Sequence, residues 1–278
     1  MPFFGDELQT IKSRYENYDT LIMRVCEGVD RGRMTNTTLQ KQSTWQNAFI
    51  FTGEEPCTQA ASGGGVKNRV IEIECDRVVV EDGNSVVNYV NSHYGCAGRE
   101  FIEAIKDRKE LPKEYQAIFK TLLEMSNSTE KQAMAMALML LADAVATRHI
   151  FKDNDVLDFE MVLPFLKSVA EIDTAERAFA MITDIIAENS DKFEQTYDKA
   201  SNLATWGKLN ADGSVLVNKT VLERELGKVG FDFTAVKKKW AAKGYLVVNS
   251  QGRYFHSTTV AGMKGVFIKL NTALLIEK

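Results

Sequence analysis

Proline is scarce in this chain, with 4 among 278 residues. Proline removes a backbone donor and clashes with the preceding turn, so its rarity favours long uninterrupted helices. Histidine is scarcer still, with 3, and the four cysteines, Cys26, Cys57, Cys75 and Cys96, form no C-x-x-C pair. Such spacing makes no zinc site. Scattered thiols fit a reducing compartment and apolar, buried roles. No apolar run approaches the roughly 20 residues of a membrane span. The longest, residues 133–142, stops at Asp143. No signal peptide is visible, because Asp6 and Glu7 interrupt the apolar start. These absences set the expectation of a cytoplasmic protein with no membrane partner.

What is present is an ordinary globular mixture, 45% hydrophobic and 26% charged. The net charge of -4 hides an asymmetry. Residues 201–271 hold 11 Lys and Arg against 4 Asp and Glu, a balance of +7, which leaves -11 for the rest. A basic module on an acidic body suggests that this module alone meets nucleic acid.

Three regions follow from the patterning: 1–81, 82–200 and 201–278. In the first, Phe3-Phe4 reads as a strand end and residues 18–29 as a helix carrying Leu21, Ile22, Val25 and Cys26. Residues 48–51 read as a strand buried on both faces. Residues 58–68, rich in Gly and Ser, read as a loop. Residues 69–75 alternate at period two and precede Val78, Val79 and Val80, which predicts further strand. Strands mixed with a helix favour an α/β sheet.

The second region shows helical spacing at 84–93, 99–108, 112–125, 130–151, 159–171 and 174–193, which predicts an all-α bundle. Met134, Met136, Leu138, Met139 and Leu141 surround one helix and mark it as central to the core. The third region reads as strand 214–217, helix 219–228, a break at Gly230, helix 233–243 behind Asp232, strand 245–248, and strands 253–260 and 265–270. That order is a winged helix-turn-helix. Lys237, Lys238, Lys239 and Lys243 on or beside its second helix, with Arg253 and Lys264 in the ribbon, are the candidate DNA contacts.

The chemistry concentrates in the first eighty residues. An apolar strand ending in Asp6-Glu7 suits nucleotide hydrolysis. Asp6 can hold Mg²⁺ through water and Glu7 can take a proton from attacking water. Thr52 ends the second strand, placed to touch a γ-phosphate. Lys67 and Arg69 follow a glycine run, and Arg31 and Arg33 follow the first helix, so all four can meet phosphate charge.

Taken together, Asp6-Glu7, Arg31-Gly32-Arg33, Trp45 leading to Thr52-Gly53-Glu54, and Gly63-Gly64-Gly65 with Arg69 resemble a helicase-like family of phage and mobile-element proteins. It is catalogued as domain of unknown function number nine-two-seven. The resemblance covers roughly residues 1–81. It implies that this region is the C-terminal part of a RecA-like nucleotide-binding core. ATP and Mg²⁺ would be its cofactors in the complete protein. One feature departs from the pattern. Such ATPases carry a G-x-x-x-x-G-K-[ST] phosphate loop before the acidic pair, and the 278 residues contain none.

Two functions are therefore expected. In the first, the chain is the C-terminal part of a helicase-like, DNA-associated ATPase of a mobile element. An upstream phosphate-loop domain or subunit would complete it, a homo-oligomer is possible, and the chain alone would be inactive and bind no cofactor tightly. In the second, it is a non-catalytic DNA-binding or replication-accessory protein whose acidic pair is structural.

Overall fold

Backbone contacts divide the chain into two units, one of Met1–Thr58 with Gly64–Ile172 and one of Gln59–Gly63 with Asp173–Lys278. The structure, a computed structural model, describes residues 2–11, 18–30, 42–75, 78, 80–195 and 205–275.

In the first unit, strand β1 (Phe3–Gly5) pairs in parallel with the later β2 (Phe49–Phe51), Phe3 opposite Phe49 and Gly5 opposite Phe51. The rings of Phe3, Phe49 and Phe51 lie 5.7 to 6.3 Å apart. Gly5 is required here, because a Cβ would fall 2.6 Å from the Phe51 ring. The expected burial on both faces is not found. Phe4 is 69% and Ile50 43% exposed, since among the described residues no further strand joins this sheet.

Helix α1 (Leu8–Ile11) leaves β1, and α2 (Tyr18–Glu27) follows it. Gly28 ends α2 in the left-handed region at φ 71. Leu8, Tyr18 and Ile22 pack with Val66 from α3 (Gly64–Lys67). That single turn lies where the sequence predicts a loop. Gly64 permits it, because a Cβ there would sit 2.6 Å from the Ile172 carbonyl oxygen.

The strand predicted over 69–80 is absent among its described residues. Its alternating side chains are claimed by different neighbours. Val70 packs beside α3, Ile71 joins the helical core, and the Val70 carbonyl accepts from the Gln132 amide at 2.9 Å. With that carbonyl satisfied by a side chain, there is no ladder.

The bundle comprises α4 (Gly83–His93), α5 (Cys96–Ile105), α6 (Leu111–Met125) and α7 (Glu130–Ala146). Asp82 caps α4 by accepting from Ser85 N at 3.1 Å, and Pro112 occupies the first turn of α6. Leu122 of α6 meets Ala133, Met136, Ala137 and Leu140 of α7. Helix α7 is less central than its composition implies. Met134, Leu138 and Met139 are 48%, 62% and 48% exposed. Among the described residues Glu130–Phe151 alone has the length and hydropathy of a membrane span. Its Gln132, however, is buried with its amide bonded to Lys67 and Val70 carbonyls, as in a protein core.

The predicted helix 130–151 changes to a π turn over Thr147–Phe151. The predicted helix 159–171 is broken into α8 (Phe159–Val162) and α9 (Val169–Ile172). Pro164 lies in the 3-10 turn between them, and Ser168 restarts the helix by exchanging hydrogen bonds with Glu171.

The second unit begins with α10 (Thr174–Glu188), which ends at Asn189, short of the predicted 193. Strands β3 (Phe193–Gln195), β4 (Gly207–Leu209) and β5 (Ser214–Asn218) follow, then α11 (Lys219–Lys228) and α12 (Phe233–Ala242). Strands β6 (Leu246–Val247), β7 (His256–Val260) and β8 (Met263–Asn271) complete the order β3-β4-β5-β8-β6, with β7 on β8. The short strands β3 and β4 carry too few alternating residues to be seen in the sequence. The core joins Phe179, Ile182 and Ile186 of α10 to Leu222, Leu226, Phe233, Val236 and Trp240 of the two later helices. Helix α10, expected within the bundle, is thus built into the core of the winged unit.

Candidate functional site

Asp6 and Thr52 stand at the carboxyl ends of adjacent parallel strands. The register that pairs Gly5 with Phe51 brings the next residue of each strand together. The Thr52 hydroxyl donates to Asp6 Oδ1. The Glu7 amide donates to the same oxygen at 3.1 Å and to Thr52 Oγ1 at 3.2 Å. The chain then turns sharply, with Glu7 in the left-handed region at φ 51. A non-glycine residue there costs about 1–3 kcal/mol and is held only where its surroundings fix it. Leu8 N donates to the Thr52 carbonyl at 2.7 Å and Thr10 N to the Glu7 carbonyl at 2.8 Å, which provides that support. Asp6, Glu7 and Thr52 are all exposed, at the strand ends where open α/β sheets bind ligands.

The cations are arranged otherwise. Arg69 follows α3 rather than opening a strand, and its Nη1 donates to the Gly65 carbonyl at 2.6 Å. It makes no ion pair with Glu72, whose partner is Lys167. The Lys67 carbonyl is held by Gln132 at 3.0 Å. Its charge adds to a Ser168 hydrogen bond, the largest influence, in holding the Glu171 carboxyl below the usual range. Arg31 and Arg33 lie outside the described residues.

A half-buried network that the sequence did not announce fixes the flanks of this region. Glu72 accepts from Thr58 N at 2.8 Å, from Thr58 Oγ1 at 2.7 Å, and from Lys167 Nζ. Burial raises the Glu72 pKa, and the Lys167 and Thr58 donors outweigh it, so the carboxyl stays charged. Glu72 and Lys167 are 95 residues apart, too far for any local pattern to link them. Burial, then the Glu72 charge, push the neighbouring Cys57 thiol up to about 12. Cys57 is therefore expected to resist alkylation at pH 8 while the exposed Cys75 and Cys96 react, because the thiolate is the nucleophile. Peptide mapping after iodoacetamide treatment checks this; rapid labelling of Cys57 in folded protein would contradict the geometry.

In the winged unit, the six candidate DNA residues separate. Lys243 Nζ reaches Asp173 Oδ2 at 2.7 Å and Glu176 Oε1 at 2.6 Å. Lys239 lies 3.6 Å from Asp173 Oδ1. Tyr245 donates to Glu176 Oε2 at 2.7 Å. Lys238, Arg253 and Lys264 are exposed and Lys237 is half-buried. Burial works against both partners of the clasp. The Lys243 hydrogen bond nevertheless lowers the Asp173 pKa, and the two carboxylates raise that of Lys243. Stability from Asp173 is present above its unfolded pKa and lost as pH falls through the lower folded value. Stability from Lys243 is present below its unfolded pKa and lost as pH rises through the higher folded value. The clasp should thus persist between the ordinary carboxylate and lysine ranges. Thermal melts of wild type and Lys243→Gln should differ most at neutral pH and converge at strongly acidic pH. A difference independent of pH would show that the pair does not titrate with folding.

Residues 173–273 match the family described as the Cch helix turn helix domain. None of the curated proteins matches the chain. Among solved structures it is similar to one titled "SCCmec type IV Cch - active helicase", at 19% identity and a TM-score of 0.65. The match covers 99% of this chain and 52% of that one, so the chain spans about half the length of the helicase it resembles. What the comparisons establish is a mixed α/β fold like that of a helicase, ending in a helix-turn-helix domain.

Proposed function

We propose that this chain is the C-terminal part of a helicase-like, DNA-associated ATPase of a mobile genetic element, acting with a phosphate-loop segment supplied by other residues. The observation that carries this is the Asp6–Thr52 hydrogen bond at the ends of two parallel strands, with Glu7 held beside it in a strained turn. The likeness to an active helicase and the helix-turn-helix match support the same reading.

The residues fit Mg²⁺ in a limited way. Asp6 Oδ1 is engaged by Thr52 and Glu7, which orients the carboxylate and leaves Oδ2 for a water of the ion. Among the described residues no cluster of three metal-ligating side chains exists, so the remaining ligands must be phosphate oxygens and water, as is usual for Mg²⁺. Bound Mg²⁺ would neutralise charge on the phosphates. Glu7, exposed beside Asp6, takes the proton of the attacking water. Thr52 offers its hydroxyl oxygen and orients the carboxylate. Arg69, tethered to Gly65, supplies phosphate charge compensation when its guanidinium is released.

The purified chain should bind ATP weakly and turn none over, because the β- and γ-phosphates lack a backbone cradle and its Lys. Turnover by the chain alone, abolished by Glu7→Gln, would overturn this reading.

A further inference from the structure

The second helix of a helix-turn-helix normally carries the groove contacts. In this protein the cations at its C-terminal end face carboxylates. Lys243 is held between Asp173 and Glu176, and Lys239 faces Asp173. Glu176 lies in α10 and Asp173 caps it, and the helix is fixed in place. Trp240 Nε1 donates to the Ala175 carbonyl at 2.8 Å, and Phe179 stacks on Tyr245 at 4.2 Å. Five α10 residues are buried in the shared core. A phosphate on Lys243 would have to displace both of these carboxylates.

The β7–β8 ribbon is arranged in the opposite way. Strand β5 pairs with β8 only from Phe267 onward and β6 only near Lys269, so residues 263–266 pair with β7 alone. Period two then sorts the side chains. Ser257 opposite Val266 and Thr259 opposite Lys264 share one face, and all four are exposed. Val260 and Phe267, on the other face, are buried. The ribbon is stiffened at both ends. At the tip Ala261 and Gly262 both have positive φ, as a two-residue hairpin requires, and Ala261 N donates to Glu194 Oε2 at 2.8 Å. Before β7, Asn249 Oδ1 accepts from Gln251 N and Arg253 N at 2.9 Å, which fixes the backbone beneath the exposed Arg253 side chain.

Resting on the DNA-associated reading above, we propose that duplex DNA is held by the outer face of this ribbon. Lys264 on that face and Arg253 in the exposed turn before β7 are the phosphate contacts and Ser257 and Thr259 the hydroxyl donors, while Lys243 holds the fold together through Asp173 and Glu176. Hydroxyls and single cations on a strand face meet phosphates and sugars, so binding is salt-dependent and indifferent to sequence.

The test is fluorescence anisotropy of the full chain with a short random-sequence duplex over a salt series. Each true phosphate contact lowers the log–log salt slope by about one when removed. Arg253→Ala/Lys264→Ala should lower the slope by about two and leave the melting temperature unchanged. Lys239→Ala should leave the slope unchanged, and Lys243→Gln should lower the melting temperature and keep the slope below that temperature. Should Lys243→Gln fail to fold, the Lys239→Ala and Lys238→Ala/Lys239→Ala slopes decide the matter. A wild-type slope in the ribbon variant, or a reduced slope in the helix variants, overturns the assignment to the ribbon. Absence of any wild-type binding at low salt instead removes the DNA-associated reading itself.

Discussion

Glu7→Gln, placed in the protein completed by its phosphate-loop segment, will slow ATP hydrolysis by on the order of 10²-fold or more while ATP remains bound. Glutamine keeps the size and the hydrogen-bonding of the side chain but cannot accept the proton of attacking water. The fold should not suffer. The contacts that hold this turn use the Glu7 backbone, through its amide to Thr52 and Asp6 and its carbonyl to Thr10. Loss of rate with an unchanged melting temperature therefore separates chemistry from structure. Single-turnover hydrolysis beside a nucleotide-retention measurement checks both halves. Wild-type hydrolysis in the mutant would reduce Asp6-Glu7 to a structural turn and favour a non-catalytic DNA-binding protein.

Trp240→Ala should cost about 3–5 kcal/mol, the range for deleting a fully buried aromatic. Trp240 is 0% exposed. It meets Phe179 and Phe233 edge-on at 5.4 and 5.8 Å, and its indole N–H is bonded to the Ala175 carbonyl. Alanine leaves a cavity at the meeting point of α10 and α12 and removes the indole donor from the Ala175 carbonyl. Trp240→Phe should recover part of the loss by refilling the space without restoring that bond. Denaturant melts of the three proteins order them. Equal stability of wild type and Trp240→Ala would mean that α10 and α12 do not share a core.

The sequence made the winged unit legible because its signals are local. Asp232 caps α12, its side chain accepting from Thr234 N, and the predicted bounds of α11 match the observed helix. In strand Ser214–Asn218 the apolar Val215 and Val217 are buried on either side of the half-buried Leu216, the period-two pattern the sequence displays. The convergence of Asp6 with Thr52 was also foreseeable, since both end apolar runs. What stayed hidden depends on partners distant in sequence. The alternation at residues 69–75 mimics a strand, yet Val70, Ile71 and Glu72 are each bound elsewhere. The lysines of α12 read as a DNA face because the acids that neutralise Lys239 and Lys243 lie some seventy residues earlier. The predicted helix 159–171 ran across Pro164 because the apolar spacing on either side is helical.

Residues 59–63 belong to the second unit although they stand inside the first in sequence. The Arg177 guanidinium holds them, donating to the carbonyls of Ala60 and Ser62 across separations of 117 and 115 residues. During synthesis this pentapeptide emerges long before its partner exists. Its bonds to Arg177 must wait until α10 has left the ribosome, so completion of the winged unit is a late, high-contact-order event. The thermodynamic cost is small, since each doubling of a closed loop adds only about 0.6 kcal/mol. The kinetic cost is larger. A gene fragment beginning at residue 173 would therefore fold sooner, with fewer distant contacts to await, and would arrive without the carbonyls that occupy Arg177.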